Sequence, residues 1–190
     1  MVGSDDLARE IAKPTDQRDV HTYVHKESGA DGPRILSIIR PAKYPERLRP
    51  FLNALSAARV GIIEVQRIDA TLGEALVAFA SSGLTKGMAI INAPEGEWVD
   101  EEQAKMLFKQ AGLADWTFAQ GDGIELRTIL YGFMDDIADE LRANAEAPLV
   151  IPVDQHFNVK GIGLVAIGYV QSGTVHVHDE LVLLPANGTG

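Results

Sequence analysis

The sequence predicts a layered α/β domain over residues 1–146, followed by the opening strands of a small β-barrel over residues 147–190. Three observations carry this. Strand-like and helix-like segments alternate through the first 143 residues, the order expected of an α/β layer fold. Over residues 144–148 the pattern switches from helical to strand period, in a short polar stretch containing Pro148 that suits a domain boundary. Beyond it, Gly161, Gly163, Gly168 and Gly173 punctuate runs of Val and Ile, and glycine inside a strand pattern marks tight bends or close backbone approach.

Taken in order, residues 20–26 and 34–39 read as neighbouring strands joined by the turn Ser28-Gly29-Ala30-Asp31-Gly32-Pro33. Residues 50–58 read as a helix with Phe51, Leu52 and Leu55 at core spacing, its start blurred by Pro45 and Pro50. Residues 60–65 form a nearly all-apolar, buried strand. Thr71 and Glu74 are spaced as a capping box for the next helix, which Gly83 closes. A strand over 88–92 and a helix over 100–111 capped by Asp100 follow, with Gly112 just past the end, then a short strand over 116–119. Asp122 and Glu125 cap the longest helix, whose core stripe is Leu126, Leu130, Phe133, Ile137 and Leu141. In the C-terminal part, Gln171-Ser172-Gly173 reads as a hairpin turn, and strand pattern resumes over 174–177 and 180–184.

Composition narrows the function. With 190 residues there is room for one domain and a small second one. There are no cysteines, which removes disulfides, thiolate catalysis and Cys-based zinc or iron–sulfur sites. The apolar runs are short, so no membrane span is expected, and the first six residues lack a signal-peptide pattern; a cytoplasmic protein is the expectation. The net charge of −10 argues against a DNA-binding or general nucleic-acid-coating role. Asp100, Glu101 and Glu102, and Asp135, Asp136, Asp139 and Glu140, read as solvated helix faces, and Arg34, Arg40, Lys43, Arg47, Arg49 and Arg59 as a solvated basic rim.

One resemblance is specific. Counting from Phe157, glycines fall four, six, eleven and sixteen positions on, with Val165, Val170 and Val175 between them. This spacing resembles the opening of the second domain of elongation factor Tu and of the selenocysteine-specific elongation factor. The run Asp154-Gln155-His156-Phe157-Asn158-Val159-Lys160-Gly161 is most similar to archaeal proteins of this kind. The resemblance implies that residues 147–190 begin a translation-factor barrel and that residues 1–146 take the place of a P-loop GTPase domain. The stretch from Val65 through Asp69 to Gly73, and Ser82-Gly83-Leu84-Thr85-Lys86-Gly87 with the strand after it, extend the likeness.

The nucleotide chemistry does not follow. A phosphate loop, G-x-x-x-x-G-K-[ST], needs glycine-freed amides around the phosphates and a Lys reaching the outer ones. The N-terminus offers Gly3 and then Lys13-Pro14-Thr15, with no glycine before the Lys and almost no strand before Gly3. The strand ending at Ile39 is followed by Arg40-Pro41-Ala42-Lys43 rather than by an Asp for magnesium and a Gly for the γ-phosphate. The guanine-reading Asn-Lys-x-Asp is reduced to Asn92-Ala93-Pro94-Glu95, and Phe118-Ala119-Gln120-Gly121 keeps little of the last guanine loop. The expectation is a pseudo-GTPase: no catalytic residues, no GTP cofactor, and Gly3, Lys13, Thr15 and Asn92 as remnants of a nucleotide site.

Other chemistries find no support. His21 and His25 share a strand face, and His176, His178 and Asp179 with His156 have no feature that fixes three ligands at one point, so no metal is expected. Ser81, Ser82 and Ser172 have no His–Asp arrangement to activate them. The family's barrel contacts tRNA or the ribosome, which makes His156, Asn158, Lys160 and Gly161 the candidate contact residues by motif match. The expected role is translation-linked binding of tRNA or ribosome; a protein–protein scaffold without RNA is the alternative. Forty-two residues beyond Pro148 supply about half the strands that closure needs, so the barrel is expected to be incomplete or completed by another molecule, a homodimer included.

Overall fold

The computed structural model describes residues 1–29, 32–84, 86–184 and 188–189, and the side chains of Asp154, Gln155, Gly188 and Thr189 lie outside that description. Its residues group into two units, Met1–Met134 and Asp135–Gly190.

The first unit is built from α1 (Asp5–Ile11), β1 (Lys13–Gln17), β2 (Val20–Gly29), β3 (Gly32–Pro41), α2 (Leu48–Ala57), β4 (Gly61–Val65), α3 (Ala70–Ser81), β5 (Gly87–Ile91), α4 (Glu101–Gln110), β6 (Thr117–Ala119) and the start of α5 (Gly123–Ala143). Strands β1, β2 and β3 form an antiparallel sheet, and β4, β5 and β6 a parallel one. Met1 and Val2 lie between them. The Met1 amine donates to Ile39 O at 2.8 Å, Val2 N donates to Ile62 O at 2.8 Å, and Glu64 N donates to Val2 O at 2.9 Å. Val2 also pairs in parallel with Ile63. Two residues thus fill the strand slot that the sequence left nearly empty, and the order across the layer is β1-β2-β3-(Met1-Val2)-β4-β5-β6.

Side-chain alternation along the parallel strands separates two cores, as period-two geometry requires. Ile62, Met88 and Ile90 face Leu7, Ala8 and Ile11 of α1 and Leu126 and Leu130 of α5. Ile63, Val65 and Ala89 face Phe51, Leu55, Leu72, Leu76, Phe79 and Phe108 of α2, α3 and α4. Every residue of β4 is buried, Glu64 included, which is why the rest of the strand reads as apolar.

Trp116, just before β6, lies across the first residues of β4 and β5, and its Nε1 donates to Leu84 O at 3.4 Å. Gly61 and Gly87 are register partners, and a Cβ on either would stand 2.2 Å from the indole ring. Only glycine leaves room for that ring, which also stacks edge-on against Phe79.

Several local expectations shift. Asp69, not Thr71, caps α3: its Oδ1 accepts from Leu72 N at 2.9 Å, so the helix starts two residues earlier. Asp122 and Glu125 form the reciprocal box at α5, Asp122 Oδ1 accepting from Glu125 N and Glu125 Oε2 from Asp122 N. The α5 stripe is buried at Leu126 and Leu130 and only half-buried at Phe133 and Ile137; Leu141 is exposed, because the helix outruns the core it packs on. Arg40 is not a rim charge. Its guanidinium is largely buried and donates from Nε to Gly3 O at 2.7 Å. Of the turn over 28–33, Ala30 and Asp31 lie outside the described residues, as does Thr85.

The second unit holds two antiparallel ribbons, β7 (Val153–Val159) with β8 (Gly163–Gly168), and β9 (Val182–Leu183) with β10 (Gly188–Thr189). No closed barrel forms among the described residues. The β7–β8 connection is Lys160-Gly161-Ile162, closed by Ile162 N donating to Val159 O at 3.1 Å, so the hairpin turn lies eleven residues before the expected one. Ser172 instead bridges Val150. Residues 174–177 make no strand. The Asp179 carboxylate accepts from His176 N at 2.7 Å and folds that segment into a turn with His178 at φ +76°, a side-chain bond that competes with strand pairing. Of the chain end read as loop, Pro185, Ala186, Asn187 and Gly190 lie outside the described residues.

The Trp116–glycine contact is directly testable. Gly87→Ala forces the indole or β5 to move and is expected to cost about 1–3 kcal/mol. Urea denaturation measures this, and an unchanged midpoint would mean that the ring does not hold the sheet there.

Candidate functional site

In open α/β sheets ligands gather in the crevice beyond the carboxyl ends of the strands, where the strand order reverses. Here that place is the turn Gly3–Ser4, which leads from Met1–Val2 into α1. Ser4 caps α1, its Oγ accepting from Leu7 N at 3.1 Å. The turn's own polar groups are taken from inside the protein. Glu64 is the sole buried acidic or basic residue among those described. Its Oε2 accepts from Ser4 N, and its Oε1 from Ser4 Oγ at 3.1 Å and from Asn92 Nδ2 at 2.6 Å. On the other side Arg40 holds the Gly3 carbonyl. A Cβ on Gly3 would stand 2.8 Å from Glu64 Cβ, so glycine is required for the carboxylate to come this close.

A cleft of about 380 Å³ opens beside this network, lined by Arg40, Tyr44, Glu64, Arg67, Asp69 and Leu72 among others. The side chains of Arg67, Asp69 and Tyr44 are engaged elsewhere in the chain. Arg67 pairs with Glu97 through both Nε and Nη2. Asp69 caps α3, and the Tyr44 hydroxyl donates to Thr71 O at 3.2 Å. Burial, with Glu74 and Asp69 nearby, pushes that phenol up to about 12.

Of the four residues read as nucleotide-site remnants, the structure brings two together. Gly3 and Asn92 meet at Glu64. Lys13 and Thr15 do not join them: both lie on β1, past the end of α1, with Lys13 opposite Val24 and Thr15 Oγ1 donating to Thr22 O at 3.0 Å. Glu64 and Arg40 were missed. The signal for Glu64 was present as an acid in the middle of an otherwise apolar buried strand. Arg40 carried none beyond its place near the end of β3.

The second candidate surface is the tip of the β7–β8 hairpin. His156 pairs with Ala166 and Asn158 with Leu164, so the two point to the same face of the ribbon, and Lys160 and Gly161 follow in the turn. All four are exposed, as is Phe157 between them. Among the described residues no group of three or more His, Asp or Glu is placed to hold a metal ion. No helix among them is long and apolar enough to cross a membrane.

Comparison with known proteins follows these features. An uncharacterized protein of Methanocaldococcus jannaschii is 26% identical over 181 residues, 95% of this chain and 54% of that protein. The selenocysteine-specific elongation factor of the same organism is 35% identical over 68 residues, 35% of this chain and 14% of that protein. Elongation factor 1-alpha of Thermococcus onnurineus is 22% identical over 178 residues, covering 81% and 41% of the two chains. The chain is thus weakly similar to elongation factors of the selenocysteine-specific and 1-alpha kinds. Among solved structures, a bacterial selenocysteine-specific elongation factor matches 91% of this chain and 31% of its own with a TM-score of 0.59 at 22% identity, a likeness of fold. The chain spans about half the length, or less, of the curated relatives it matches. No protein-family model matches it.

One electrostatic feature at the head of α1 gives a pH signature. The Asp5 carboxylate accepts from the Tyr23 hydroxyl and from Arg9, with Arg40 Nη1 3.9 Å and His21 Nδ1 3.8 Å away. The Tyr23 bond, then the Arg9 bond, lower its pKa from 3.8 to about 2. The folded value lies below the unfolded one, so this acid stabilises the fold above about pH 3.8, and the contribution is lost as pH falls toward 2. An NMR titration is expected to place Asp5 near 2 in the native protein and higher in Tyr23→Phe. An ordinary value in both would remove the bond.

Proposed function

We propose that the chain is an elongation-factor-like protein that binds tRNA or the ribosome in a translation-linked role without using guanine nucleotide. The observation that carries the second half of this reading is the strand–turn–helix crossing itself. It is two residues long, Gly3–Ser4, and no lysine stands in it. The nearest candidate, Lys13, is a helix away on β1. The residues present do not fit a magnesium–nucleotide. Ser4 N–H and Oγ–H, the groups a phosphate would take, are given to Glu64, and Arg40 stands where a magnesium-supporting carboxylate belongs. The domain is therefore read as a pseudo-GTPase, with no catalytic residue and no GTP cofactor.

The binding half rests on the exposed hairpin tip, on its likeness to second-domain motifs, and on the homology to elongation factors. His156, Asn158, Lys160 and Gly161 are the proposed contacts. Residues 147–190 are proposed as the first strands of a second-domain barrel, completed by further strands or by a partner. The apolar side chains left exposed there, Ile162, Leu164, Val177 and Val182 among them, fit such a cover. A cytoplasmic setting follows from the role. The net charge of −10 favours a second reading, a protein–protein scaffold that has dropped RNA.

Two measurements decide. Calorimetry with GTP and GDP in magnesium is expected to give no heat of binding; a micromolar affinity would end the pseudo-GTPase reading. Filter binding to tRNA and to ribosomal subunits at low and physiological salt is expected to show salt-sensitive association. Lys160→Ala should weaken it several-fold and reduce the slope of log K against log salt by about one. No binding at low salt would leave the scaffold.

A further inference from the structure

We infer that Glu64 stands in for a bound phosphate, so that the first turn and the Asn92 segment are held in the nucleotide-bound arrangement by the chain's own carboxylate. The inference rests on the pseudo-GTPase reading. A helix start preceded by a tight glycine turn is a ready anion site, because its amides lack partners within the helix. In a nucleotide-binding relative of this fold an external anion supplies the acceptors. Here the acceptors come from the middle of β4, one strand over.

The geometry fits a substitute rather than an incidental contact. Glu64 reaches both sides of the crossing at once: the backbone and hydroxyl of Ser4 on α1, and the amide of Asn92 just after β5. The two segments are far apart in sequence, and no other direct hydrogen bond between them is recorded among the described residues. Gly3 gives the carboxylate its room, and Arg40 fixes the carbonyl on the opposite side of the same peptide turn. The Gly3 carbonyl and the Ser4 amide and hydroxyl thereby have partners within the chain, and no buried side-chain nitrogen or oxygen among the described residues lacks a partner. A phosphate entering the crevice would have to displace Glu64 from three donors and sit beside its negative charge. The contact thus orders the empty site and bars anions from it, and the cleft beside it is closed to phosphate-bearing ligands.

Amide hydrogen exchange tests this on the whole chain. In the wild-type protein, protection over residues 4–8 and 90–94 is expected to be the same with and without GTP and magnesium. In Glu64→Ala both segments should exchange roughly tenfold faster or more, as for the loss of a bond to a charged acceptor, while β2 and β3 keep their protection. Unchanged protection, or loss in one segment only, overturns the inference. Should Glu64→Ala not fold, Glu64→Gln keeps the shape but weakens the acceptor, and exchange about threefold faster in both segments is expected. An effect of Glu64→Gln confined to one segment, or absent, overturns it equally. Nucleotide binding by the wild type would sink the pseudo-GTPase reading on different data, so the two failures are separable.

Discussion

The α/β unit depends on how few backbone bonds join its two sheets. Strands β1–β3 and β4–β6 are separate three-stranded sheets, and the backbone of Met1 and Val2 is what spans the gap between them. A slot so short has little hydrogen-bonding capacity of its own. The chain that leaves it must turn at once into α1, and the turn is pinned by Glu64 below and Arg40 above. Burying an acid is costly unless its oxygens are fully bonded. Glu64 meets that condition with three donors, and the condition dictates Gly3, Ser4 and Asn92 around it.

That dependence explains what could be read from the sequence. Elements whose evidence is periodic were legible: the buried run of β4, the cap at Asp100, the reciprocal Asp122–Glu125 box and the stripe through Leu126 and Leu130. Their signals are local, within one turn or one strand. The site was half-legible. Asn92 and Gly3 stand out because each is an odd residue at the end of an element, but their common partner is a single acid inside an apolar strand. Sequence spacing gives no sign that three segments meet there. Lys13 misled for the converse reason. Its neighbourhood, Lys13-Pro14-Thr15, looks like the end of a phosphate loop, yet a seven-residue helix has already formed before it, and proline is accepted because β1 pairs on one side only.

The second unit shows the same limit in another form. Glycine spacing identified the region but not which glycine turns the chain. Gly161, Gly163 and Gly173 all adopt positive φ, and only the first two lie in and beside the turn between paired strands. Which of them serves is decided by the partners on either side: β7 and β8 pair over six positions, whereas Gly173 is followed by a segment that Asp179 draws into a turn. Two short ribbons cannot cover their own apolar faces. The exposed Ile162, Leu164 and Val182 are the physical form of that deficit.

Fold and chemistry are separable in this architecture, since function lies in groups placed on a scaffold rather than in the scaffold. Removing a phosphate cradle from a nucleotide-binding fold would ordinarily leave unpaired amides at the start of α1 and a loose loop after β5, at a cost of one to a few kcal/mol for each buried unsatisfied group. In this chain the Glu64 carboxylate on β4, which borders both segments, supplies bonds to Ser4 and Asn92. The two segments are then bonded to one another from within the chain. On the reading proposed above, the acidic surface, the self-bonded crevice and the open ribbons together suit a protein that works by contact.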